Sequence, residues 1–98
     1  MEINPEEPIE FPISDEIDLH TFSPSETRSA VNEYLYECQK RGIYEVRIIH
    51  GKGKGIQKNI IRTLLNEHPL VITFRDAPPI SGGWGATIVE LKRKDMEE

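Results

Sequence analysis

Apolar and polar positions along this 98-residue chain change period several times. Glu16-Ile17-Asp18-Leu19-His20 alternates, the pattern of a half-buried strand with Ile17 and Leu19 turned inward. The spacing then becomes helical. Ala30, Val31, Tyr34, Leu35 and Cys38 fall on one stripe. Ser23-Pro24-Ser25-Glu26 supplies an N-cap, a proline at the first helical position and a capping-box glutamate, and Gly42 stops the run. A helix is predicted over 24–41. Ile43 to Ile49 is rich in β-formers and predicts a second strand. Ile56, Ile60, Ile61, Leu64 and Leu65 mark a second helix, ended by His68-Pro69. His68 is expected there as a C-terminal residue that complements the helix dipole. Leu70 to Arg75 and Ala86 to Lys92 predict two more strands, separated by a loop with two prolines and three glycines.

The order is βαβαββ. Strands joined through a helix are expected to run parallel by right-handed crossovers, and the last two strands antiparallel. With only two helices available, one face of the sheet is covered. The predicted fold is an α/β two-layer sandwich on a four-stranded mixed sheet. Ile17, Leu19, Val46, Ile48, Ile72, Phe74, Val89 and Leu91 should face the helices, and Asp18, Arg47, Arg75, Glu90 and Lys92 the open side. Residues 1–14 hold three prolines and four glutamates and follow neither period. They read as an acidic leader, with Ile9, Phe11 and Ile13 spaced as a strap. Residues 15–93 form the domain and 94–98 a charged tail.

Charge redraws this picture. The net charge is −5, which argues against a polyanionic partner until its distribution is seen. Residues 1–20 carry seven acids and no Lys or Arg. Residues 40–62 carry Lys40, Arg41, Arg47, Lys52, Lys54, Lys58 and Arg62 against Glu45 alone. The single Cys38 excludes an internal disulfide and a multi-cysteine zinc site, and suits a reducing, cytoplasmic setting. No apolar run is long enough for a membrane span, and no basic, apolar signal sequence is present.

Candidate chemistry gathers at His50-Gly51-Lys52-Gly53-Lys54-Gly55. A glycine loop between a strand and a helix can offer backbone N–H groups and a helix N-terminus to an anion. The lysines add charge. His20 and His50 each end a strand, so parallel neighbours would bring both to one sheet edge beside the loop. Phosphodiester cleavage needs a proton acceptor, a proton donor and positive charge on the non-bridging oxygens. His20 and His50 suit the first two tasks and Lys52 the third. Asp18 could orient His20 or hold a divalent ion such as Mg or Mn. Arg47, Lys54 and Lys58 would bind backbone phosphates. Trp84, between small residues, reads as an exposed platform for a base or as a cap on the core; the neighbours favour exposure. A Walker loop is excluded because Ile56 follows Gly55, and the dinucleotide fingerprint fails at the same residue.

Together these motifs resemble the Smr (small MutS-related) domain. The match comprises Ile17-Asp18-Leu19-His20, Val46 through Gly55, His68-Pro69, and Gly82-Gly83-Trp84-Gly85-Ala86-Thr87. The resemblance implies a βαβαββ sandwich similar to the C-terminal domain of translation initiation factor three, its last strand antiparallel beside the second. It implies a nucleic-acid-binding domain, in many members an endonuclease on DNA or RNA, with Asp18 and His20 in one motif and His50, Gly51, Lys52 and Gly53 in the other. Gly83 and Gly85 belong to the matching third motif and are expected at the nucleic-acid surface with Gly55. Members vary in their need for a metal, and some are fused to mismatch-repair-like modules. A free-standing member, plausibly monomeric, is the expectation here. Thr21 stands where many members have glycine, so the turn after the first strand is expected to differ. Two alternatives remain: a non-catalytic nucleic-acid or ribosome-binding module using the same loop, and a protein-interaction domain using the open sheet face.

Overall fold

The computed structural model describes residues 13–53 and 55–94. The leader as far as residue 12, with Ile9 and Phe11 of the expected strap, lies outside the described residues, as do Lys54 and positions 95–98. The elements are β1 (Glu16–Asp18), α1 (Pro24–Lys40), β2 (Glu45–Ile49), α2 (Ile56–Glu67), β3 (Val71–Asp76) and β4 (Ala86–Leu91). Two short 3-10 turns, Pro79–Ser81 and Gly83–Gly85, fill the last loop. Among the described residues, no helix is long and apolar enough to cross a membrane.

The sheet runs β1-β2-β4-β3. β1 and β2 are parallel, and β4 is antiparallel to both β2 and β3. The expected mixed four-stranded sandwich is therefore the observed one, with the last strand beside the second. Its core joins Leu19, Ile48 and Val89 of the sheet side to Leu35 of α1 and Ile61 and Leu65 of α2. Ile13 packs against this cluster. The Tyr34 hydroxyl donates to the Ser14 carbonyl at 2.6 Å, tying the entry to β1 onto α1. Burial, and next a side-chain hydrogen bond with Cys38, raise the Tyr34 pKa.

The capping box forms as its residues require. Ser23 Oγ accepts from the Glu26 N–H at 3.3 Å, and the Glu26 carboxylate accepts from the Ser23 N–H at 2.9 Å. The helix stops one residue early, with Arg41 at the C-cap. β1 also ends early, at Asp18, and His20 lies in the following turn.

Two expectations are corrected. Ile72 does not face the helices: it is 53% exposed. A bulge falls between Val71, paired with Leu91, and Thr73, paired with Glu90. The extra residue resets the alternation, so Val71 and Phe74, three apart, both pack on the core. His68 sits at the C-cap of α2, but not as a charge on the helix dipole. Its ring is buried, Nδ1 accepts from the Leu70 N–H at 3.2 Å, and Nε2 stands 3.0 Å from Asn32 Oδ1. A ring that accepts at Nδ1 and donates at Nε2 is neutral. Burial lowers its pKa accordingly.

Candidate functional site

The sheet register builds the site. β1 pairs with β2 so that Asp18 stands opposite Ile49. The Leu19 N–H continues the ladder to the Ile49 carbonyl at 2.8 Å. Two residues further along each chain, His20 meets Gly51. A Cβ added to Gly51 would stand 3.2 Å from His20 Cβ, and Gly51 has φ +84°. Glycine is needed there for its backbone conformation and for that close approach.

His20, His50, Gly51, Lys52, Gly53, Gly55, Ile56, Gln57 and Lys58 line one cleft of about 260 Å³. Its floor includes the start of α2. Gly55, in the left-handed conformation, is the N-cap, so no side chain caps this helix, and its first turn holds no acid. The contrast with α1 and its closed capping box is local: the N-terminus of α2 keeps its positive end open to the cleft.

The two histidines differ. His20 Nδ1 lies 2.6 Å from Asp18 Oδ1, and the same oxygen accepts from the His20 N–H at 3.0 Å. Both side chains are about half exposed, 57% and 52%. The side-chain and backbone bonds from His20 hold the Asp18 carboxyl below its usual range. With Nδ1 donating to the carboxylate, Nε2 is the ring nitrogen left for other work. His50 is 3% exposed. Its Nε2 stands 2.9 Å from Thr87 Oγ1 and its Nδ1 3.1 Å from the Gly51 carbonyl. Since a carbonyl only accepts, Nδ1 donates and Nε2 accepts the hydroxyl proton, giving a neutral ring with both nitrogens engaged. Burial pushes its pKa down, against the bond to Gly51.

The Gly82-to-Gly85 segment braces the loop without lining the cleft, and Gly85, expected at the nucleic-acid surface, is buried beneath it. The Gly85 carbonyl accepts from the N–H groups of both His50 and Gly51 at 3.0 Å. A Cβ on Gly85 would stand 3.0 Å from Lys52 Cγ, so the lysine stem lies across this glycine. Gly83 has open space around it, and its φ of +55° shapes the turn. Trp84 is exposed over 46% of its surface, the exposed alternative of the two.

Two expected phosphate contacts are placed otherwise. Arg47 is on the open face, pairing with Glu16 at 2.7 Å and donating to the Ser81 carbonyl at 2.8 Å. It lines a different depression with Asp15, Glu16 and Glu45, whose carboxylates repel an anion. Lys58 borders the cleft, but its ammonium is buried and paired with Asp76 at 2.9 Å. Its hydrogen bond, joined by Arg62, keeps the Asp76 carboxyl low. Lys52, exposed and in no ion pair among the described residues, is the cation left at the cleft. Lys54 lies outside the described residues.

Two residues shape the site in roles that the sequence pattern does not assign: Thr87, which only ends the third motif, and Gln57. Thr87 holds His50 from the neighbouring strand. Gln57 donates to the carbonyls of Leu19 and Phe22, which bracket the His20 turn, while its Oε1 accepts from Thr27. Thr21, within that turn, keeps a negative φ, so the side chain introduces no strain. Among the described residues no carboxylate lines the cleft; Asp18 stands behind His20, with Oδ1 already committed to it. An ion held there would take its remaining ligands from water and phosphate oxygens, as Mg²⁺ commonly does.

An α/β sandwich with an anion-suited cleft at the carboxyl ends of its parallel strands defines the class. Residues 17–92 match the Smr domain family, and the chain belongs to that family. It is 47% identical over 62 residues to "Endonuclease MutS2" of Caldicellulosiruptor saccharolyticus, a match covering 63% of this chain and 8% of that protein. The chain thus corresponds to less than a tenth of that relative's length. The crystal structure of the Smr domain of Thermus thermophilus MutS2 superposes with a TM-score of 0.78 at 37% identity, covering 81% of this chain and 99% of that one. YdaL, a stand-alone small MutS-related protein from Escherichia coli, gives 0.78 at 28% identity over 86% and 69%.

Proposed function

We propose that this Smr domain binds a nucleic-acid phosphate backbone in the Gly51–Gly55 cleft and cleaves phosphodiester bonds there. The observation that carries the reading is the His20–Asp18 pair standing at the mouth of a cleft that also holds Lys52 and the uncapped start of α2. Asp18 holds His20 through Nδ1, so Nε2 takes the proton of the attacking oxygen or supplies one to the leaving oxygen. Lys52 and the N–H groups of the loop and first helical turn stabilise the charge that builds on the non-bridging oxygens. His50, with neither nitrogen free, positions the loop. The relatives named endonuclease agree with this chemistry.

The test incubates purified protein with supercoiled plasmid and with matched DNA and RNA hairpins, with Mg²⁺, with Mn²⁺ and with chelator. Cutting is expected on at least one substrate. His20→Ala should reduce it about 100-fold or more, the usual contribution of one acid–base group, with the far-UV spectrum unchanged. Absence of cutting on every substrate, from preparations that still bind them, overturns catalysis. It would favour a non-catalytic nucleic-acid binder, the reading to which a single free imidazole at the cleft also points.

A further inference from the structure

Trp84 is the one tryptophan of the chain, and its setting is unusual for so large an apolar side chain. Nearly half of its surface faces solvent. The ring is nevertheless fixed. Lys58 Nζ sits 4.1 Å from the ring centroid, and that ammonium is itself held by Asp76. Gly55 comes so close that an added Cβ would meet Trp84 Cη2 at 3.4 Å. A cation over one face holds the ring by its quadrupole and leaves the rest of the π-surface for another flat group. Gly55 and Lys58 both line the cleft as well, so the indole adjoins the place where a phosphate would lie. Ile56, also exposed, extends an apolar lip from the same helical turn.

We infer that Trp84 is a stacking platform for an unpaired nucleobase next to the phosphate held in the cleft, so that this domain selects single-stranded or locally unpaired nucleic acid. The inference rests on the nucleic-acid reading above and names the form of the substrate. A base inside a duplex has both faces covered by its neighbours, so its stacking face is not available to an indole. An unpaired base has a free face, and stacking on an aromatic side chain tolerates any base. The lysine–aspartate pair beneath the ring makes the platform rigid before the ligand arrives, which lowers the ordering cost of binding.

Trp84 fluorescence reports directly on the contact. The full chain is titrated with a short single-stranded oligothymidylate, with an abasic oligonucleotide of equal length and charge, and with a duplex. The oligothymidylate is expected to quench the emission and to bind about tenfold more tightly than the abasic strand or the duplex, the scale of one stacked base. Trp84→Ala, followed by anisotropy of labelled DNA, should lose that advantage, and Trp84→Phe should keep part of it; circular dichroism checks that both remain folded. If the abasic strand and the duplex bind as tightly as the oligothymidylate and Trp84→Ala changes nothing, the platform is wrong while backbone binding stands. If none of the three ligands binds, both readings fall.

Discussion

His50 and His68 are each buried, each neutral and each held by two polar partners. Burial lowers the pKa of both below the ordinary 6.5. In the unfolded chain they take up protons near 6.5, and in the folded chain only at lower pH. The unfolded state therefore binds more protons in that window, and stability falls as pH drops. The loss should begin near pH 6.5 and deepen through the lower folded values. Asp18 and Asp76, also lowered, add to it only below about 3.8. Urea midpoints at pH 7.5 and pH 5.5 check this: the second should be clearly lower, and His68→Gln should flatten the difference. Equal midpoints would contradict the neutral rings. At this scale the motif residues were legible because strand ends and glycines mark themselves in sequence. The roles of Thr87 and Gln57 were not, since each acts across 37 or 38 residues on a partner that only the fold brings near.

At the scale of elements, the capping box, the glycine stops and the apolar stripes placed both helices to within a residue. β3 resisted. Strict alternation put Ile72 with Phe74, whereas the bulge puts Val71 there instead. No residue in Leu70 to Arg75 announces a bulge; it shows only in the pairing of β3 with β4. The consequence is measurable. Ile72→Lys should change stability by no more than about 0.5 kcal/mol, as for exposed positions. Phe74→Ala should cost about 3 kcal/mol, the low end for a phenylalanine, because its ring is only partly buried. Chemical denaturation of the two variants decides between the bulged and the regular strand.

For the whole molecule, folding pairs five of the bases between residues 40 and 62 with three acids. Arg47 meets Glu16, Lys58 and Arg62 meet Asp76, and Lys40 and Arg41 meet Glu37. A charge count along the run could not show this, because all three of those acids lie outside it. Among the described residues, the unpaired charge at the cleft is that of Lys52, beside the backbone dipoles. Binding of nucleic acid should therefore have a shallow salt dependence, and Lys52→Ala should lower the slope of log K against log salt by about 0.7 for a single strand, one phosphate contact. A steep slope untouched by Lys52→Ala would place the anion elsewhere.

β1 is three residues long and, among the described residues, is paired along one side only. It is therefore the part of the sheet that opens at least cost. It carries Asp18 and leads straight into His20, and the long amide of Gln57 grips the turn just beyond. Warmth would loosen this corner while the hydrophobic centre still stood, so the Asp18–His20 alignment is the first thing heat takes away.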